Sequence, residues 1–507
     1  MTTPPHEREI ELKLELDPAE VDRLLAHPIL ADQPFKVVPL VSTYYDTPGF
    51  DLRERDLTLR VRTEGEQRVQ TVKAGGSGAG LFDRGEWERD LDGADEPDLS
   101  AVAETPLGPL LDEAGRKFQL APVFRVRVER RTLLLERSGS AVELVLDRGT
   151  VEAGERSTPL CEVELELKKG DPAAVFALAQ ELGSEVPLHL GLLAKSARGY
   201  ALVDPRPAKP VKAKDPVLNP ADPAVAAVQA FARACLAQIA ANERVIVETR
   251  APEGVHQMRV GLRRLRAMLT VFKDVVADGE LERLKGDLRA LGLALGEARD
   301  LDVLIEGALA DAHRRKPESR TLQALSSAIE RRRDAAYGRM LANFASPPHR
   351  ALMLRLVTWI ETGAWTRTEG GPTIAEVATN VLDRRFKRVR RRAKDLADLD
   401  PEARHEVRIE AKKLRYAASF VASLATGEKA LKRQAKFLKA IERLQEHLGA
   451  LNDIATLEHL EASFPDDPTA RKAARRLVKR QKKGEEKELA CAAEAAEALA
   501  EAKPFWR

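Results

Sequence analysis

Aromatic residues and cysteines are scarce in this sequence. Aromatic side chains make up only 5% of the 507 residues, which gives little support for a surface that stacks on nucleic-acid bases. The three cysteines, Cys161, Cys235 and Cys491, lie far apart and match no metal-binding spacing. Because no disulfide framework and no cysteine metal site is indicated, we expect a reduced, cytoplasmic setting.

Long apolar runs are also missing. No stretch of about 18 consecutive apolar residues occurs, so the sequence predicts no membrane span. Residues 1–16 lack the apolar segment of a secretory signal peptide. Membrane proteins and secreted proteins are therefore not the classes that this sequence favours.

Charge is abundant and unevenly distributed. Lys and Arg number 53 against 40 Asp and Glu in residues 223–507, whereas the residues before them hold 29 against 40. A basic half is expected to attract polyanions, and an acidic half is expected to attract cations. Since a single hydrophobic core rarely exceeds about 300 residues, we predict at least two domains of different chemistry.

A segment rich in proline and lysine separates the two halves. Proline disfavours helix and strand interiors, so residues 204–222 are predicted to form an extended linker. Residues 1–203 alternate between apolar and charged positions, which predicts strands, with helices expected after Asp17 and Asp171 because each precedes a proline. Residues 223–507 show helical periodicity rich in alanine and leucine, and we predict an all-α domain there.

Charged residues recur on matching faces of several predicted strands. For a single strand, the ordinary explanation is a solvated face. Acidic and basic residues that share faces across many strands are instead typical of a polar barrel interior, where charges must be paired. Carboxylates two positions apart can share a hard cation such as Mg²⁺, and opposing Arg and Lys can bind phosphate oxygens. The residues concerned are Glu9, Glu11, Lys13, Arg60, Arg62, Lys73, Glu86, Glu88, Glu162, Glu164 and Glu166.

The motif Glu9-x-Glu11-x-Lys13 resembles the ExExK signature of the CYTH superfamily, also called triphosphate tunnel metalloenzymes. The resemblance implies an α+β multidomain protein whose N-terminal domain is an eight-stranded antiparallel β-barrel tunnel with flanking helices. It also implies that this tunnel binds a triphosphate together with Mg²⁺ or Mn²⁺. Further motifs that carry the resemblance are Tyr44-Tyr45-Asp46-Thr47, Leu59-Arg60-Val61-Arg62, Thr71-Val72-Lys73, Glu86-x-Glu88, Glu162-x-Glu164-x-Glu166 and Lys195-Ser196-x-Arg198-Gly199-Tyr200.

The resemblance also implies roles for individual residues. The implied metal ligands are Glu9, Glu11, Asp147, Glu162 and Glu164. The implied phosphate-binding residues are Lys13, Arg60, Arg62, Lys73 and Lys195. The implied reaction is metal-assisted transfer of a phosphoryl group to water. Its implied catalytic residues are Glu9, Glu11, Lys13, Arg60, Arg62 and Lys73.

One further arginine is expected in the tunnel. Strand parity groups Arg125, Arg127 and Arg131 on one face, whereas the family pattern points to Arg130. A bulge could shift the register between these two possibilities. Arg127 and Arg130 therefore both stay candidates for substrate binding.

The helical half contains a repeated motif. His256, Arg259, Arg263 and Arg266 have a spacing that recurs 149 residues later in His405, Arg408, Lys412 and Arg415. At about 100° per residue, each set falls within an arc of roughly 80° and forms a basic stripe. A single stripe is ordinarily a solvated helix face, but two copies in a basic domain favour a polyanion site. The repeat also predicts two pseudo-symmetric helical bundles.

This half resembles the CHAD domain, a conserved-histidine α-helical domain. The resemblance implies two four-helix bundles that bind inorganic polyphosphate through the two stripes. The scarcity of nearby aromatics favours polyphosphate over nucleic acid. Besides the stripes, the residues that carry the resemblance are Arg299-Asp300, Asp302, Tyr416, Gln445, His447, Gly449 and Asn452-Asp453.

Three functions stay open. The first is a metal-dependent triphosphatase that hydrolyses inorganic triphosphate, or a related compound such as thiamine triphosphate, to diphosphate and phosphate. The second is a non-catalytic scaffold that binds polyphosphate and associates with polyphosphate granules. The third is an enzyme similar to the class IV adenylate cyclases, which the CYTH superfamily also includes. The complete set of glutamates and basic residues favours the first, and no recognisable adenine pocket supports the third.

Overall fold

The computed structural model describes residues 10–74, 85–91, 93, 96–110, 119–368, 370–457 and 467–507. The chain divides into two compact units: Met1–Ala208 with Ala345–Thr362, and Lys209–Phe344 with Gly363–Arg507. The first unit contains an antiparallel sheet with flanking helices and the second is helical, which confirms the predicted fold class. The domain boundaries expected at 1–203, 204–222 and 223–507 stay a prediction.

A single antiparallel sheet organises the first unit. Its strands are β1 (Glu11–Glu15), β2 (Lys36–Asp46), β3 (Leu57–Glu64), β4 (Gln67–Ala74), β5 (Gly85–Asp90), β6 (Ala121–Arg137), β7 (Ser140–Ala153), β8 (Arg156–Lys169) and β9 (His189–Leu190). Their order across the sheet is β5-β4-β3-β2-β6-β7-β8-β1-β9. Among the described residues, the edge strands β5 and β9 do not pair, so closure into an eight-stranded barrel is not seen. Strand β9 has only two residues, so the alternating pattern of the sequence could not predict it.

The α-helices fall in both units. Those of the first unit are α1 (Val21–Leu25), α2 (Asp51–Glu54), α3 (Ala173–Glu185), α4 (Lys195–Val203) and α11 (Pro347–Thr362). Those of the second unit are α5 (Ala224–Thr249), α6 (Pro252–Val271), α7 (Leu281–Ala294), α8 (Gly296–Leu304), α9 (Ala310–Arg315), α10 (Arg320–Phe344), α12 (Ile374–Arg392), α13 (Pro401–Phe420), α14 (Glu428–Leu457), α15 (Pro468–Gln481) and α16 (Glu485–Glu501). The helix starts predicted at Asp17 and Asp171 are confirmed, because their carboxylates accept backbone hydrogen bonds from Ala19 and Ala173 at 2.9 and 2.8 Å.

The sheet buries side chains on both of its faces along β1 and β8. Leu12, Leu14, Val163 and Leu165 are fully buried on one face, and helix α3 contacts these two strands and β7. The charged residues of the same strands alternate with these apolar ones and therefore lie on the opposite face. One alternating sequence thus supplies both an apolar core and a polar surface.

Helix α4 packs closely against strands β6, β7 and β8. At Gly199, an added Cβ would lie 2.1 Å from ring atoms of Phe124, so only glycine permits this approach. The hydroxyl of the adjacent Tyr200 donates a hydrogen bond to Asp46 Oδ2 at 2.6 Å. These contacts fix the position of a helix whose first residue is Lys195.

Helix α11 belongs to the first unit, although the chain on either side of it belongs to the second. It contacts helix α3 and strand β9. Gln180 Nε2 donates a hydrogen bond to Thr358 Oγ1 at 2.9 Å, and a Cβ added at Gly183 would lie 2.7 Å from Leu354 Cδ1. Half of its sixteen residues are buried, most of them large and apolar. The sheet unit is therefore completed by a distant part of the sequence.

Part of the predicted linker is fixed within the second unit. Asn242 accepts a hydrogen bond from the backbone N–H of Val211 at 3.0 Å and donates one to the carbonyl of Val211 at 2.8 Å. Asp215 forms an ion pair with the buried guanidinium of Arg264. These contacts hold this stretch of chain against the helical unit.

Helix α5 is long and apolar enough to cross a membrane by length and composition alone. An 18-residue window of it has a mean hydropathy of 1.5, and 56% of that window is buried inside the protein. Core helices of globular domains share both properties, so a single such helix is weak support for a membrane span.

Candidate active site

A cavity of about 670 Å³ in the first unit is lined mainly by charged side chains. All eight strands from β1 to β8 contribute to its wall, together with the start of α4. Acidic and basic groups face the same enclosed space, so each depends on the others for charge compensation. The lining includes Glu11, Lys13, Arg60, Arg62, Lys73, Glu86, Glu88, Arg130, Glu164 and Lys195.

Three carboxylates from neighbouring strands form an acidic triad at this cavity: Asp147, Glu162 and Glu164. The ladder between β7 and β8 pairs Asp147 with Glu162, and Glu164 lies two positions further along the same face of β8. One oxygen from each carboxylate lies within 4.8 Å of the others. Asp147 and Glu162 are 0% exposed, so their negative charges require nearby cations.

Two lysines and one arginine surround the acidic triad. Lys13 Nζ lies 2.9 Å from Glu162 Oε1 and also contacts Glu164. Lys195 Nζ lies 2.8 Å from Asp147 Oδ2 and 2.9 Å from Glu164 Oε1, and it contacts Glu162 as well. The third cation, Arg130, binds Asp147 through two hydrogen bonds of 2.8 and 2.7 Å.

The surrounding charges shift the pKa values of two glutamates in opposite directions. Burial alone would raise the pKa of Glu164, but Lys13, Lys195 and Arg130 hold it well below its usual range. Burial, followed by the charge of Glu164, raises the pKa of Glu11 to about 7. An added cation beside Glu11 would favour its ionised form and so lower this pKa.

The acidic triad fits a divalent cation. Glu162 Oε2 is buried and has no hydrogen-bond partner among the residues that the structure describes. A buried oxygen in this condition is costly unless a cation or a donor reaches it, and carboxylate oxygens are the ligands that Mg²⁺ and Mn²⁺ take. Glu11 lines the same cavity and could complete the ligand set. Glu9 lies outside the described residues.

Arginines and a lysine from β3 and β4 form a basic wall in the same cavity. Lys73 Nζ lies 2.7 Å from Glu86 Oε2, and Arg60 Nη2 lies 3.6 Å from Glu86 Oε1. Arg62 Nη2 lies 3.5 Å from Glu88 Oε1. The Nε of Arg60 is buried without a partner among the described residues. This wall offers several N–H donors to an anion that enters the cavity.

The two basic stripes of the second unit meet where α6 contacts α13. Arg263 of the first stripe lies beside Arg408 and Lys412 of the second, and burial followed by these two arginines, Arg408 first, lowers the pKa of Lys412 to about 7. Arg259 Nη1, Arg263 Nε and Arg408 Nε are buried and lack hydrogen-bond partners within the described part of the chain. Arg259, Arg263, Arg408 and Lys412 therefore form a basic cluster with unused donors.

Comparison with known proteins assigns both halves to families. Residues 7–200 match the family model of the CYTH domain, and residues 230–462 match that of the CHAD domain. The chain is a CYTH–CHAD fusion. The resemblances found in the sequence are thereby confirmed.

Similar proteins cover the two domains to different extents. The inorganic triphosphatase of Haemophilus influenzae is 30% identical over 199 residues, which are 38% of this chain and 55% of that protein. The match thus spans about half the length of that relative. An uncharacterised protein of Mycobacterium tuberculosis is 27% identical over 449 residues, 83% of this chain and 81% of that protein. The crystal structure of the CHAD domain from the plant Ricinus communis aligns with a TM-score of 0.51 and 28% identity, over 57% of this chain and 97% of that one.

The register of β6 separates the two candidate arginines of the CYTH domain. Arg130 pairs with Asp147 across the β6–β7 ladder and lines the cavity. Arg127 has the opposite parity, and its Nε binds Glu152 Oε2 at 3.0 Å outside the cavity. The geometry therefore supports Arg130 as a substrate-binding residue and gives no support to Arg127.

The cavity also contains charged residues for which the sequence indicated no role. Lys168 Nζ lies 2.6 Å from Glu166 Oε1 and 3.6 Å from Glu143 Oε2, and all three residues line the cavity. Lys36 joins them from β2 and binds Glu64 at 2.9 Å. The signal for Lys168 was present, because it shares the strand parity of Glu162, Glu164 and Glu166.

Two of the other stripe residues of the CHAD domain, His405 and Arg415, have partners of their own. His405 Nδ1 lies 3.2 Å from Asn452 Oδ1, and Arg415 Nη1 lies 3.9 Å from Glu442 Oε1. Burial, followed by the charge of Arg299, lowers the pKa of His256, so its imidazole is neutral at pH 7. Burial, followed by Arg289, lowers the pKa of Arg266. His256 thus contributes a hydrogen-bonding group more than a charge.

Proposed function

We propose that the CYTH domain is a metal-dependent triphosphatase that hydrolyses inorganic triphosphate, or a closely related triphosphate, to diphosphate and phosphate. The observation that carries this proposal is a single cavity that Glu164 of the acidic triad lines together with a basic wall of Arg60, Arg62 and Lys73. A polyanion bridged by a divalent cation requires both features in the same space. The similarity to an inorganic triphosphatase supports the same activity.

The acidic triad would hold Mg²⁺ or Mn²⁺, with Glu11 and Glu9 as further ligands, and the ion would neutralise phosphate charge and lower the pKa of water. Arg60, Arg62, Lys73 and Arg130 bind and orient the phosphate oxygens. Their present partners, the carboxylates of Glu86 and Glu88 among them, keep these cations extended into the cavity before substrate arrives. Preorganised donors of this kind stabilise the charge that develops during phosphoryl transfer.

The attacking group in this proposal is water. The described residues that line the cavity include neither cysteine nor histidine, so no thiolate or hydroxyl activated by an imidazole stands beside the substrate. Lys13 and Lys195 supply ammonium groups in this part of the site, and these groups can bind the oxygens of the departing diphosphate.

The CHAD domain, in the same proposal, binds inorganic polyphosphate through its basic cluster. The unused N–H groups of Arg259, Arg263 and Arg408 support this assignment, because a chain of phosphates supplies closely spaced acceptors. A cytoplasmic location at polyphosphate granules completes the proposal. This cluster also favours a second candidate, a non-catalytic scaffold, since it needs no contribution from the cavity of the CYTH domain.

Phosphate release from the purified full-length protein tests the two candidates. The assay compares triphosphate, ATP, thiamine triphosphate and long-chain polyphosphate, with Mg²⁺ or Mn²⁺ or with a chelator. The triphosphatase proposal expects release that requires metal and is lost in Glu162→Gln, while the matched variant Glu152→Gln, outside the cavity, keeps it. Polyphosphate binding without release from any substrate would instead establish the scaffold, and ATP conversion to cyclic AMP would establish a cyclase.

A further inference from the structure

Lys195 contacts more members of the acidic triad than the other cations of the CYTH cavity do. Its ammonium contacts all three members of the acidic triad: Asp147 at 2.8 Å, Glu164 at 2.9 Å, and Glu162. Only 10% of its side chain is exposed. Lys195 is therefore a counter-ion of the whole triad.

The other cations around the triad have narrower contacts. Lys13 Nζ reaches Glu162 and Glu164, and its stem is enclosed by Gly191, where an added Cβ would lie 2.5 Å from Lys13 Cγ. Arg130 binds Asp147 through two hydrogen bonds, and its Nη2 lies 3.6 Å from Glu164 Oε2, so it contacts two of the three carboxylates. Among the described residues, Lys195 is thus the cation whose position coincides with the centre of the three carboxylates.

A divalent cation bound by the same three carboxylates would lie close to the Lys195 ammonium, even if it used Glu162 Oε2, which has no partner among the described residues. The two positive charges would repel strongly in a buried site with little solvent. Lys195 also lines the cavity that faces the basic wall. Its flexible side chain can therefore leave the triad and reach the phosphate-binding side of the same space.

We propose that Lys195 is a displaceable counter-ion that competes with the divalent cation for the acidic triad and, once displaced, binds substrate phosphate. The inference rests on the metal dependence proposed above and adds a coupling between metal and substrate. Metal binding frees an ammonium for the triphosphate, and the triphosphate holds that ammonium away from the triad. Each ligand consequently raises the affinity for the other, and Lys195 acts as a positioning residue for both.

Direct measurement of Mn²⁺ binding tests this competition without turnover. Free Mn²⁺ is followed by electron paramagnetic resonance in the substrate-free full-length protein, for the wild type, Lys195→Met and Lys168→Met. Lys168 is a matched control, since it lines the same cavity but pairs with Glu166 and Glu143. We expect Lys195→Met to bind Mn²⁺ about tenfold more tightly than the wild type, and Lys168→Met to be unchanged. Equal or weaker binding by a folded Lys195→Met would overturn the proposal.

Amine labelling of the wild-type protein provides a second test if Lys195→Met does not fold. Acetylation of each lysine is quantified by mass spectrometry with and without saturating Mg²⁺. Displacement from the triad predicts at least a threefold faster modification of Lys195 in Mg²⁺, with Lys168 unaffected. A rate of Lys195 acetylation that stays constant or falls in Mg²⁺ would contradict the proposed displacement. If Mn²⁺ binding and lysine labelling behave as expected but the protein does not hydrolyse triphosphate, the proposed function is refuted and the role of Lys195 in metal binding is not.

Discussion

Arg130 and Asp147 face each other across the β6–β7 ladder and join through two hydrogen bonds, Nε to Oδ1 at 2.8 Å and Nη2 to Oδ2 at 2.7 Å. Asp147 is fully buried, whereas 20% of the Arg130 side chain remains exposed to the cavity. Burial alone would raise the pKa of Asp147, but Lys195 and Arg130 lower it. The arginine thus links the acidic triad to the surface that substrate would meet.

Replacing Arg130 should impair both stability and catalysis. Arg130→Ala leaves Asp147 with one fewer partner in a buried site, and we expect a loss of about 3 kcal/mol in the free energy of unfolding. Loss of a phosphate donor should lower kcat/KM for triphosphate by about 100-fold. Arg127→Ala, on the other face of the same strand, should stay within about twofold of the wild type because the guanidinium of Arg127 pairs only with the half-buried Glu152, outside the cavity. Equal activity of both variants would exclude Arg130 from the site.

The basic cluster of the CHAD domain should determine polyphosphate affinity. Arg263→Ala and Arg408→Ala each remove a cation whose buried Nε lacks a partner among the described residues, so each should weaken binding about tenfold. Arg314→Ala removes an exposed arginine that pairs with Asp311 and should have no effect. Titration of the full-length protein with chains of defined length, in chelator to prevent hydrolysis, measures the three affinities. Uniform weakening in all variants would indicate a general charge effect instead of a defined site.

Polyphosphate binding should weaken as the pH rises through neutrality. Partial burial, followed by the charges of Arg408, Arg263 and Arg415, disfavours the charged form of Lys412, and Asp453 only partly offsets these effects, so its pKa is about 7. The ammonium is present below pH 7 and lost above it, and a bound polyanion would favour its retention. Affinity should therefore fall between pH 6 and pH 8.5 in the wild type and change less in Lys412→Arg. Identical pH profiles would show that Lys412 does not contact the ligand.

The pKa of Lys412 also predicts how the stability of the ligand-free protein changes with pH. Its folded-state pKa of about 7 lies below the ordinary lysine value of 10.5. Between these two values the unfolded chain binds more protons than the folded one, so this residue makes the free energy of unfolding rise with pH. Chemical denaturation at pH 7 and pH 9 should show a smaller increase in Lys412→Arg than in the wild type.

The CYTH domain should lose stability if it is truncated at residue 208. Truncation removes α11, whose large apolar side chains are buried in the first unit. Since each fully buried side chain of this kind contributes about 1.5–3 kcal/mol, we expect a loss of at least about 3 kcal/mol. Fusing residues 345–362 to residue 208 through a flexible linker should restore most of the melting temperature, whereas the same fusion carrying Leu354→Asp should not.

The sequence predicted most of the charged residues of the site, but it did not predict where all of them lie in the fold. Alternation along β1 and β8 placed Glu11 with Lys13 and Glu162 with Glu164 on common faces, and the structure brings all four to one cavity region. Parity alone could not choose between Arg127 and Arg130, because it does not say which face of β6 is interior. Val126, Val128 and Arg130 share one face, which is apolar at one end and charged at the other. A strand face that is apolar at one end and charged at the other cannot be recognised from alternation alone.

In the helical half, too, the sequence predicted the charged faces but not which of them meet. The spacing of each stripe predicted a basic helix face, and Arg263 and Lys412 were recognised as members of separate stripes. Their proximity depends on the packing of α6 against α13, which periodicity does not encode. Helix α11 lies in the part of the chain that was predicted to be all-α, yet its apolar pattern could not indicate which unit it would cover.

The position of α11 in the sequence sets an order of events during synthesis. A ribosome adds roughly 5–20 residues per second, so the N-terminal sheet emerges on the order of 10 s before the helix that covers it. During that interval the apolar side of α3 is available to chaperones and to other nascent chains. The N-terminal domain, although first to be made, would thus be finished only when much of the helical unit has already left the ribosome. Inserting a pause in translation before residue 345 should therefore increase aggregation, whereas a pause after residue 362 should not.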